Sequence, residues 1–302
     1  MTTSLTLVRV FDRTWAAWLR GVNTCRTAPT RGAVHRLRID ARRLQALIGV
    51  LTSATGAPPK ALRRLAKVAA EPLEALAPLR DDQVQRRRVG RAEGTRGIET
   101  LLQHVRTRES RHRKRAHRAL ARIDRTHAEE VARRVRKGVV RRQGAPTPGE
   151  RTLLLLTAVD VAATDLRSRL ARLDVNAPRS LHKLRIALKH FRYITEIAEE
   201  VSPSVHVASQ PTLRSLQRRL GQVHDDDVLL ERLDRFAGRE RRHRADIRAF
   251  KTAIEAARAD SLRGLSRSLP ALRHSLTDLA ARASSGAAAR VVSASSTHHT
   301  GR

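Results

Sequence analysis

Val34-His-Arg-Leu-Arg-Ile-Asp-Ala-Arg-Arg-Leu44 decides the architecture, because a close copy of this segment returns in the second half of the chain. The copy is Leu181-His-Lys-Leu-Arg-Ile-Ala-Leu-Lys-His-Phe191, which lies 147 residues further along (residue 34 against residue 181). A second element repeats in the same order. Leu76-Ala-Pro-Leu-Arg-Asp-Asp-Gln-Val84 matches Leu220-Gly-Gln-Val-His-Asp-Asp-Asp-Val228, 144 residues later (76 against 220). Two matches in one order predict a duplicated chain, since internal repeats mark repeated structural units.

Both copies of the first element have the pattern of an amphipathic helix with a basic face. At about 100° per residue, four side chains of the second copy share a sector of about 80°: His182, Arg185, Lys189 and Arg192. The same face of the first copy carries His35, Arg38 and Arg42, with Arg43 beside it. Like charges at this spacing destabilise a helix, so we expect an anion along each row. Arginine forks and lysine point charges suit phosphate oxygens.

The amino-acid composition excludes several classes of protein and several kinds of binding partner. The 302 residues include 61 Lys and Arg against 29 Asp and Glu, which gives a net charge of +32. Hydrophobic residues make up 40% of the chain, too many for a disordered basic tail. Aromatic residues make up only 2%, which favours helices and disfavours binding of single-stranded nucleic acid by base stacking. The single cysteine, Cys25, excludes an internal disulfide framework.

Helical periodicity runs through nearly the whole chain and predicts an all-α fold. We expect helices near residues 5–25, 33–51, 59–88, 98–141, 150–172, 179–200, 211–237 and 240–262, with a short one near 270–282. The Pro- and Gly-rich stretch Gln143–Gly149 predicts a linker. The predicted units are therefore a first helical half, 1–145, a second half, 146–282, and a disordered tail, 283–302. Two halves of this kind predict two four-helix bundles related by a pseudo-twofold axis, with a basic groove at their seam.

The repeated pattern His-x-x-Arg-Ile-x-x-Arg/Lys, followed by Leu-Gly-x-x-x-Asp-x-x-Val, resembles the CHAD family over roughly residues 5–282. The resemblance implies an all-helical domain of two four-helix bundles that binds inorganic polyphosphate at the seam and is associated with polyphosphate granules. Matched to the family pattern, the binding residues are His35, Arg38, Arg42, Arg43, His182, Arg185, Lys189, His190, Arg192 and Tyr193. Three positions depart from it: Gln45 and His190 stand where the family usually has a cation, and Leu76-Ala77 replaces Leu-Gly.

Further basic residues are predicted to extend the same surface. They are Lys60, Arg63, Arg64, Lys67, Arg88, Arg214, Arg218 and Arg219. For each of these a solvated surface role is an equal alternative, because charged helix faces are commonly just exposed to water. The carboxylates of Asp81 and Asp225 would repel a phosphate polymer, so we expect them to hold arginine side chains or cap helix ends.

Competing functions are weaker but one stays open. His224-Asp225 resembles the His-Asp doublet of metal-dependent phosphohydrolases, yet the equivalent pair in the first half is Arg80-Asp81. We therefore predict no catalytic residue, no metal site and no cofactor. Non-specific nucleic-acid binding remains the alternative, since any phosphate polymer meets similar electrostatics. The chain shows no secretory signal and no apolar run of about 20 residues, so the expected location is the cytoplasm, with attachment to polyphosphate granules.

Overall fold

A computed structural model describes residues 7–54, 58–92, 94–143, 148–203, 205 and 210–296. This part of the chain is all-helical, as predicted, and contains no strand. In chain order the helices are α1 Leu7–Thr27, α2 Arg31–Ala54, α3 Pro59–Val89, α4 Arg96–Ala121, α5 Arg125–Gln143, α6 Pro148–Ala171, α7 Pro178–Val201, α8 Gln210–Ala237 and α9 Arg244–Ser296, with a 3-10 turn at Arg241–His243. None of these helices has both the length and the apolar character needed to cross a membrane.

The helix predicted over residues 98–141 is two helices. α4 ends at Ala121 and α5 begins at Arg125. The side chain of Asp124 accepts a hydrogen bond from the backbone N–H of His127 at 2.9 Å, which is the geometry of a helix N-cap. No glycine or proline marks this break. An aspartate that bonds the backbone locally competes with helix continuation, and this explains why apolar periodicity alone missed it.

The last two predicted helices, 240–262 and 270–282, are one. α9 passes through Pro270 and continues to Ser296. The predicted disordered tail thus differs from the structure over residues 283–296, where repeated alanines favour helix. Residues 297–302 of that tail, and residues 144–147 of the predicted linker, lie outside the described residues.

The main apolar core is shared by both halves of the chain. Its largest fully buried side chains include Trp18 and Phe11 of α1 and Phe191 of α7, surrounded by leucine, valine and alanine. A smaller core joins the ends of α3 and α4 to α8 and α9 through residues such as Val89, Leu101 and Phe236. Because apolar contacts run from one half into the other, burial of this surface holds the two repeats together.

The contacts between helices bring each repeated element against its own copy. α1, α2, α3, α4 and α5 pack together, as do α6, α7, α8 and α9. Between the halves, α2 contacts α7 and also α6, α3 contacts α8, and α4 contacts α9. The two His–Arg helices are therefore neighbours, and so are the two helices that carry the Asp-Asp elements.

A reciprocal pair of ion pairs fixes the crossing of α3 and α8. Arg232 of α8 donates to Asp82 of α3 at 2.6 Å, and Arg88 of α3 donates to Asp226 of α8. The four residues are repeat equivalents, since 82 and 226, like 88 and 232, are 144 apart. Both carboxylates are buried. We call these two ion pairs the clamp. Asp81 and Asp225 were predicted to hold arginines, but the next residue in each repeat does so instead. Arg88, which was predicted to extend the binding surface, belongs to the clamp.

Asp82→Ala is expected to destabilise the protein by about 3–5 kcal/mol, because it leaves the half-buried guanidinium group of Arg232 without its partner. Asp82 is fully buried and also meets His112 of α4, with Nδ1 at 2.5 Å from its carboxylate. The check is the free energy of unfolding in urea. Asp260→Ala is the matched control, since Asp260 pairs with Arg263 at an exposed site. Equal losses in the two variants would mean that the clamp does not hold α3 to α8.

Candidate functional site: a cation cluster between the repeats

Four helices bring two equivalent sets of polar residues together at the seam between the halves. We call them the seam cluster, and its members are His35, Arg38 and Arg42 of α2, Arg80 and Asp81 of α3, His182, Arg185 and Lys189 of α7, and His224 and Asp225 of α8. Their charges act on one another across the halves. Arg38 and Arg42, for example, contribute to lowering the pKa of Lys189. The cluster therefore unites both copies of both repeated elements.

The seam cluster carries more positive charge than its carboxylates balance. Its five bases are the arginines Arg38, Arg42, Arg80 and Arg185 together with Lys189, and the four guanidinium groups alone outnumber the carboxylates of Asp81 and Asp225. Among the described residues, none of these five bases lies within the 4.0 Å of a carboxylate oxygen that defines an ion pair. Arginines just outside the cluster do find such partners: Arg43 binds Glu200 at 2.7 Å, and Arg88 and Arg232 form the clamp.

Two arginines of the cluster show how incompletely its donors are used. Arg38 donates one hydrogen bond, to the backbone carbonyl of Leu73 at 3.1 Å. The Nε atom of Arg185 is buried and has no hydrogen-bond partner among the described residues. A buried donor without an acceptor costs free energy, and a cationic one more than most. Both guanidinium groups thus retain donors for an external anion.

Burial and mutual repulsion shift the pKa values of the bases downward. The pKa of Lys189 falls from 10.5 to about 6, first through burial and then through Arg185, Arg42 and Arg38. Burial and the charge of Arg42 lower the pKa of Arg38 to about 10. Positive charge in the cluster is therefore energetically unfavourable in the free protein, and a bound anion would stabilise it.

The histidines of the cluster are kept neutral by the same effects. Burial, Arg185 and then His182 lower the pKa of His224 to about 3, and burial with Arg185 lowers the pKa of His182. Their rings are tilted by 44° to each other, with centroids 5.0 Å apart. For His35, burial and the charges of Arg80 and Arg38 again lower the pKa. A neutral imidazole donates from one nitrogen and an imidazolium from both, so an anion would add a donor to each ring.

The two carboxylates do not restore the balance. Burial raises the pKa of Asp81 in spite of Arg232 and Arg38, and it raises the pKa of Asp225 in spite of Arg185 and Arg88. Desolvation therefore outweighs the attraction of the surrounding cations at both positions. These carboxylates sit among the bases without forming ion pairs with them, so they do not cancel the positive charge of the cluster.

Two cavities open onto the cluster from different sides of α8. One, of about 980 Å³, reaches His182 and His224 between the N-terminal end of α7 and the α8–α9 pair. The other, of about 480 Å³, is lined by five arginines and reaches Asp225: Arg31, Arg80, Arg87, Arg88 and Arg91. The seam cluster is thus approachable from outside at a strongly basic opening.

Several residues predicted for the site have other roles. Arg192 is buried, donates to Gln217 at 2.8 Å, pairs with Glu196 and stacks 4.4 Å above the ring of Tyr193. Tyr193 is itself buried.

His190 packs over Gly49 of α2, with its Cε1 atom 3.6 Å from the position that a Cβ atom on Gly49 would take. Arg43 is paired with Glu200. His182, Arg185 and Lys189 of the predicted sector lie in the seam cluster, whereas Arg192 in its last turn is buried by neighbouring helices.

The outer basic residues stay outside the seam cluster. Lys60, Arg63, Arg64 and Lys67 are exposed on α3, and Arg214 and Arg218 are exposed on α8. Arg219 packs its guanidinium against Gly264 of α9, where a side chain would collide with it. These residues add to the positive field of the surface, and none joins the converging set.

Sequence reasoning missed Arg80 and gave His224 no binding role. A signal for both was present, because Arg80 and His224 occupy equivalent positions in the two copies of the second repeated element, each followed by an aspartate of the cluster. Arg31 and Arg87, which line the smaller cavity, had no such signal. The described residues contain no group of three or more His, Cys, Asp or Glu side chains that could hold a metal ion.

A family model described as the CHAD domain matches residues 9–210. The chain belongs to the CHAD domain family. The family is known for polyphosphate-related binding, and its members are generally binding domains. The two His–Arg segments that carried the resemblance, in α2 and α7, lie within the matched range. The Leu-Gly-x-x-x-Asp-x-x-Val segment of α8, Leu220–Val228, lies beyond it, as do the rest of α8 after Gln210 and all of α9.

Solved structures of low sequence identity share the fold. The CHAD domain from the plant Ricinus communis matches with a TM-score of 0.63 and 17% identity, over 90% of this chain and 94% of that one. PptA from Streptomyces chartreusis matches with a TM-score of 0.53 and 20% identity, over 92% of this chain and 99% of that one. No curated protein sequence matches the chain.

Proposed function

We propose that this protein binds inorganic polyphosphate through the seam cluster and does so without catalysing a reaction. The observation that carries the proposal is the convergence of four arginines and Lys189, without carboxylate partners within ion-pair distance, at the place where the two His–Arg helices meet. In an ordinary protein core such bases would be paired or absent. A polyanion supplies the missing partner for all of them at once.

Polyphosphate suits this arrangement because it repeats a negative charge at short intervals along a flexible chain. Arg38, Arg42 and Arg185 offer forked donors to the non-bridging oxygens, and Lys189 offers a point charge. The arginine-lined cavity beside Arg80 gives the chain a basic route into the cluster. Binding would release counterions from the polymer and would weaken steeply as the salt concentration rises. In the cell, we expect this affinity to bring the protein to polyphosphate granules in the cytoplasm.

A second candidate, non-specific binding of duplex nucleic acid, is favoured by one observation outside the cluster. The exposed face of α4 carries Arg111, Lys114 and Arg118 at spacings of three and four residues, and Arg122 follows directly after the helix end. A convex row of this kind can follow the phosphates of a duplex without reading bases. It lacks the converging donors of the seam.

A competition titration separates the two candidates. Labelled long-chain polyphosphate is bound at physiological salt and displaced with unlabelled polyphosphate or duplex DNA at matched phosphate concentration. We expect DNA to compete more than about tenfold less well, a difference of about 1.4 kcal/mol or more. Equal competition would favour the duplex-binding candidate, and loss of that competition in Arg111→Gln, Arg118→Gln would assign it to α4.

A further inference from the structure

The larger cavity has a chemistry that a bare phosphate chain cannot use. It measures about 980 Å³ and is lined by three helices, α7, α8 and α9. Its floor is formed by apolar side chains of α8 and α9, among them Val228, Ala259 and Leu262. Pockets for small organic ligands are typically about 300–1,000 Å³ and are lined mostly by apolar groups with a few polar ones. The cavity is of this type.

The two ends of the cavity carry different polar groups. At the α7 end it reaches His182 and His224 of the seam cluster, with Arg179 and Lys183 exposed beside them. At the far end, Glu231 and Glu255 stand at its rim. Each of these carboxylates also has a cation of its own helix beside it, since Arg235 lies 2.8 Å from Glu231 and Lys251 lies 3.8 Å from Glu255. Between the two ends, Asp227 and Arg258 form an ion pair at 2.5 Å, so they neutralise each other. An entering ligand therefore meets donors first and carboxylate acceptors last.

A polyphosphate chain gains little by entering this space, because its apolar floor offers no donors and the cations at its far end are already paired with Glu231 and Glu255. A ligand that fits both ends has an anionic head and a flat, largely apolar body that ends in hydrogen-bond donors. A nucleoside polyphosphate whose base carries an exocyclic amino group has this order of groups. The phosphates meet the bases of the seam, and the amino group faces Glu231 and Glu255.

We propose that the protein also binds nucleoside polyphosphates, with the phosphates in the seam cluster and the sugar and base in the cavity between α7, α8 and α9. This inference rests on the proposed phosphate-binding role of the seam cluster and adds a second part to the site. Most of the residues that would contact the base lie in α8 and α9, beyond the part of the chain that matches the family model.

The test compares adenosine triphosphate with inorganic tripolyphosphate, which has the same number of phosphates and no nucleoside. Binding of each to the full chain is measured by calorimetry at one salt concentration. We expect adenosine triphosphate to bind at least about tenfold more tightly. Tripolyphosphate carries one more ionisable oxygen, so charge alone would favour it. Equal affinity, or a preference for tripolyphosphate, overturns the inference.

Ala259→Trp fills the floor of the cavity and is expected to remove the preference for adenosine triphosphate, with the affinity for long-chain polyphosphate unchanged. Ala253→Trp, at an exposed position of the same helix, is the matched control and keeps the preference. A loss of both affinities to the same extent in Ala259→Trp contradicts a separate base site. The comparison of adenosine triphosphate with tripolyphosphate uses the wild-type protein, so it tests the inference even if Ala259→Trp does not fold. If wild-type protein binds no long-chain polyphosphate, the proposed function itself fails.

Discussion

The double variant Arg42→Gln, Arg185→Gln is expected to bind long-chain polyphosphate at least about a hundredfold more weakly than the wild type, because each lost hydrogen bond to a charged group contributes about 1.5–3 kcal/mol. The two arginines come from opposite halves and each lowers the pKa of Lys189. They therefore face the same small volume. The measurement is a direct binding titration at physiological salt.

The same double variant should unfold at a temperature at least as high as the wild type. Neither arginine has a carboxylate partner within ion-pair distance in the described residues, and both add repulsion to a partly buried cluster. Removing them relieves that repulsion. Arg267→Gln, Arg273→Gln is the control of equal charge change, at exposed positions on α9. If this control weakens binding as much, net charge explains the affinity and the seam cluster does not.

Binding should take up protons, and affinity should fall as the pH rises. In the free protein the pKa of Lys189 is about 6, so this lysine is mostly neutral above that pH. A bound polyanion favours the charged form and raises the pKa in the complex. A pKa that is higher in the complex means that affinity is greatest below the free-state pKa. The affinity then falls by up to about tenfold per pH unit as the pH rises from the pKa of the free lysine toward its pKa in the complex.

His224 and His182 act in the same direction at lower pH, because burial and neighbouring cations depress their pKa values in the free protein. Asp81 and Asp225 also gain protons more readily beside an anion. The check is calorimetry in buffers of different protonation enthalpy between about pH 6 and pH 8, where long-chain polyphosphate stays ionised. Lys189→Met should lower the measured uptake by nearly one proton at the upper end. Affinity that is independent of pH would contradict this description of the cluster.

The fold was largely predictable because the sequence repeats itself. The two His–Arg segments and the two Asp-containing segments predicted that α2 and α7, and α3 and α8, are equivalent, and the structure packs each pair together. Helix ends were predictable where proline or glycine marks them, as at Pro59 and Pro178. The break at Asp124 and the passage of α9 through Pro270 were not, since both depend on local capping and packing that periodicity does not encode.

The candidate site was predictable up to the point where neighbouring helices decide what a side chain faces. His182, Arg185 and Lys189 lie in the seam cluster, whereas Arg192, one turn further along the same face, is buried against Glu196 and Gln217. A helical wheel places these four residues in one sector and cannot tell which turn is covered. Likewise, the Asp-Asp pairs were evident, but only the packing shows that Asp82 and Asp226 bind arginines while Asp81 and Asp225 face the bases.

The most direct test of the central claim is a crystal structure of the protein grown with long-chain polyphosphate. We expect a continuous chain of phosphate density between α2 and α7, with oxygens at about 2.7–2.9 Å from the nitrogens of Arg38, Arg42, Arg185 and Lys189. His182 or His224 should donate to the same chain. Phosphate density confined to the outer face of α4, with the seam cluster unchanged from the free protein, would contradict the account.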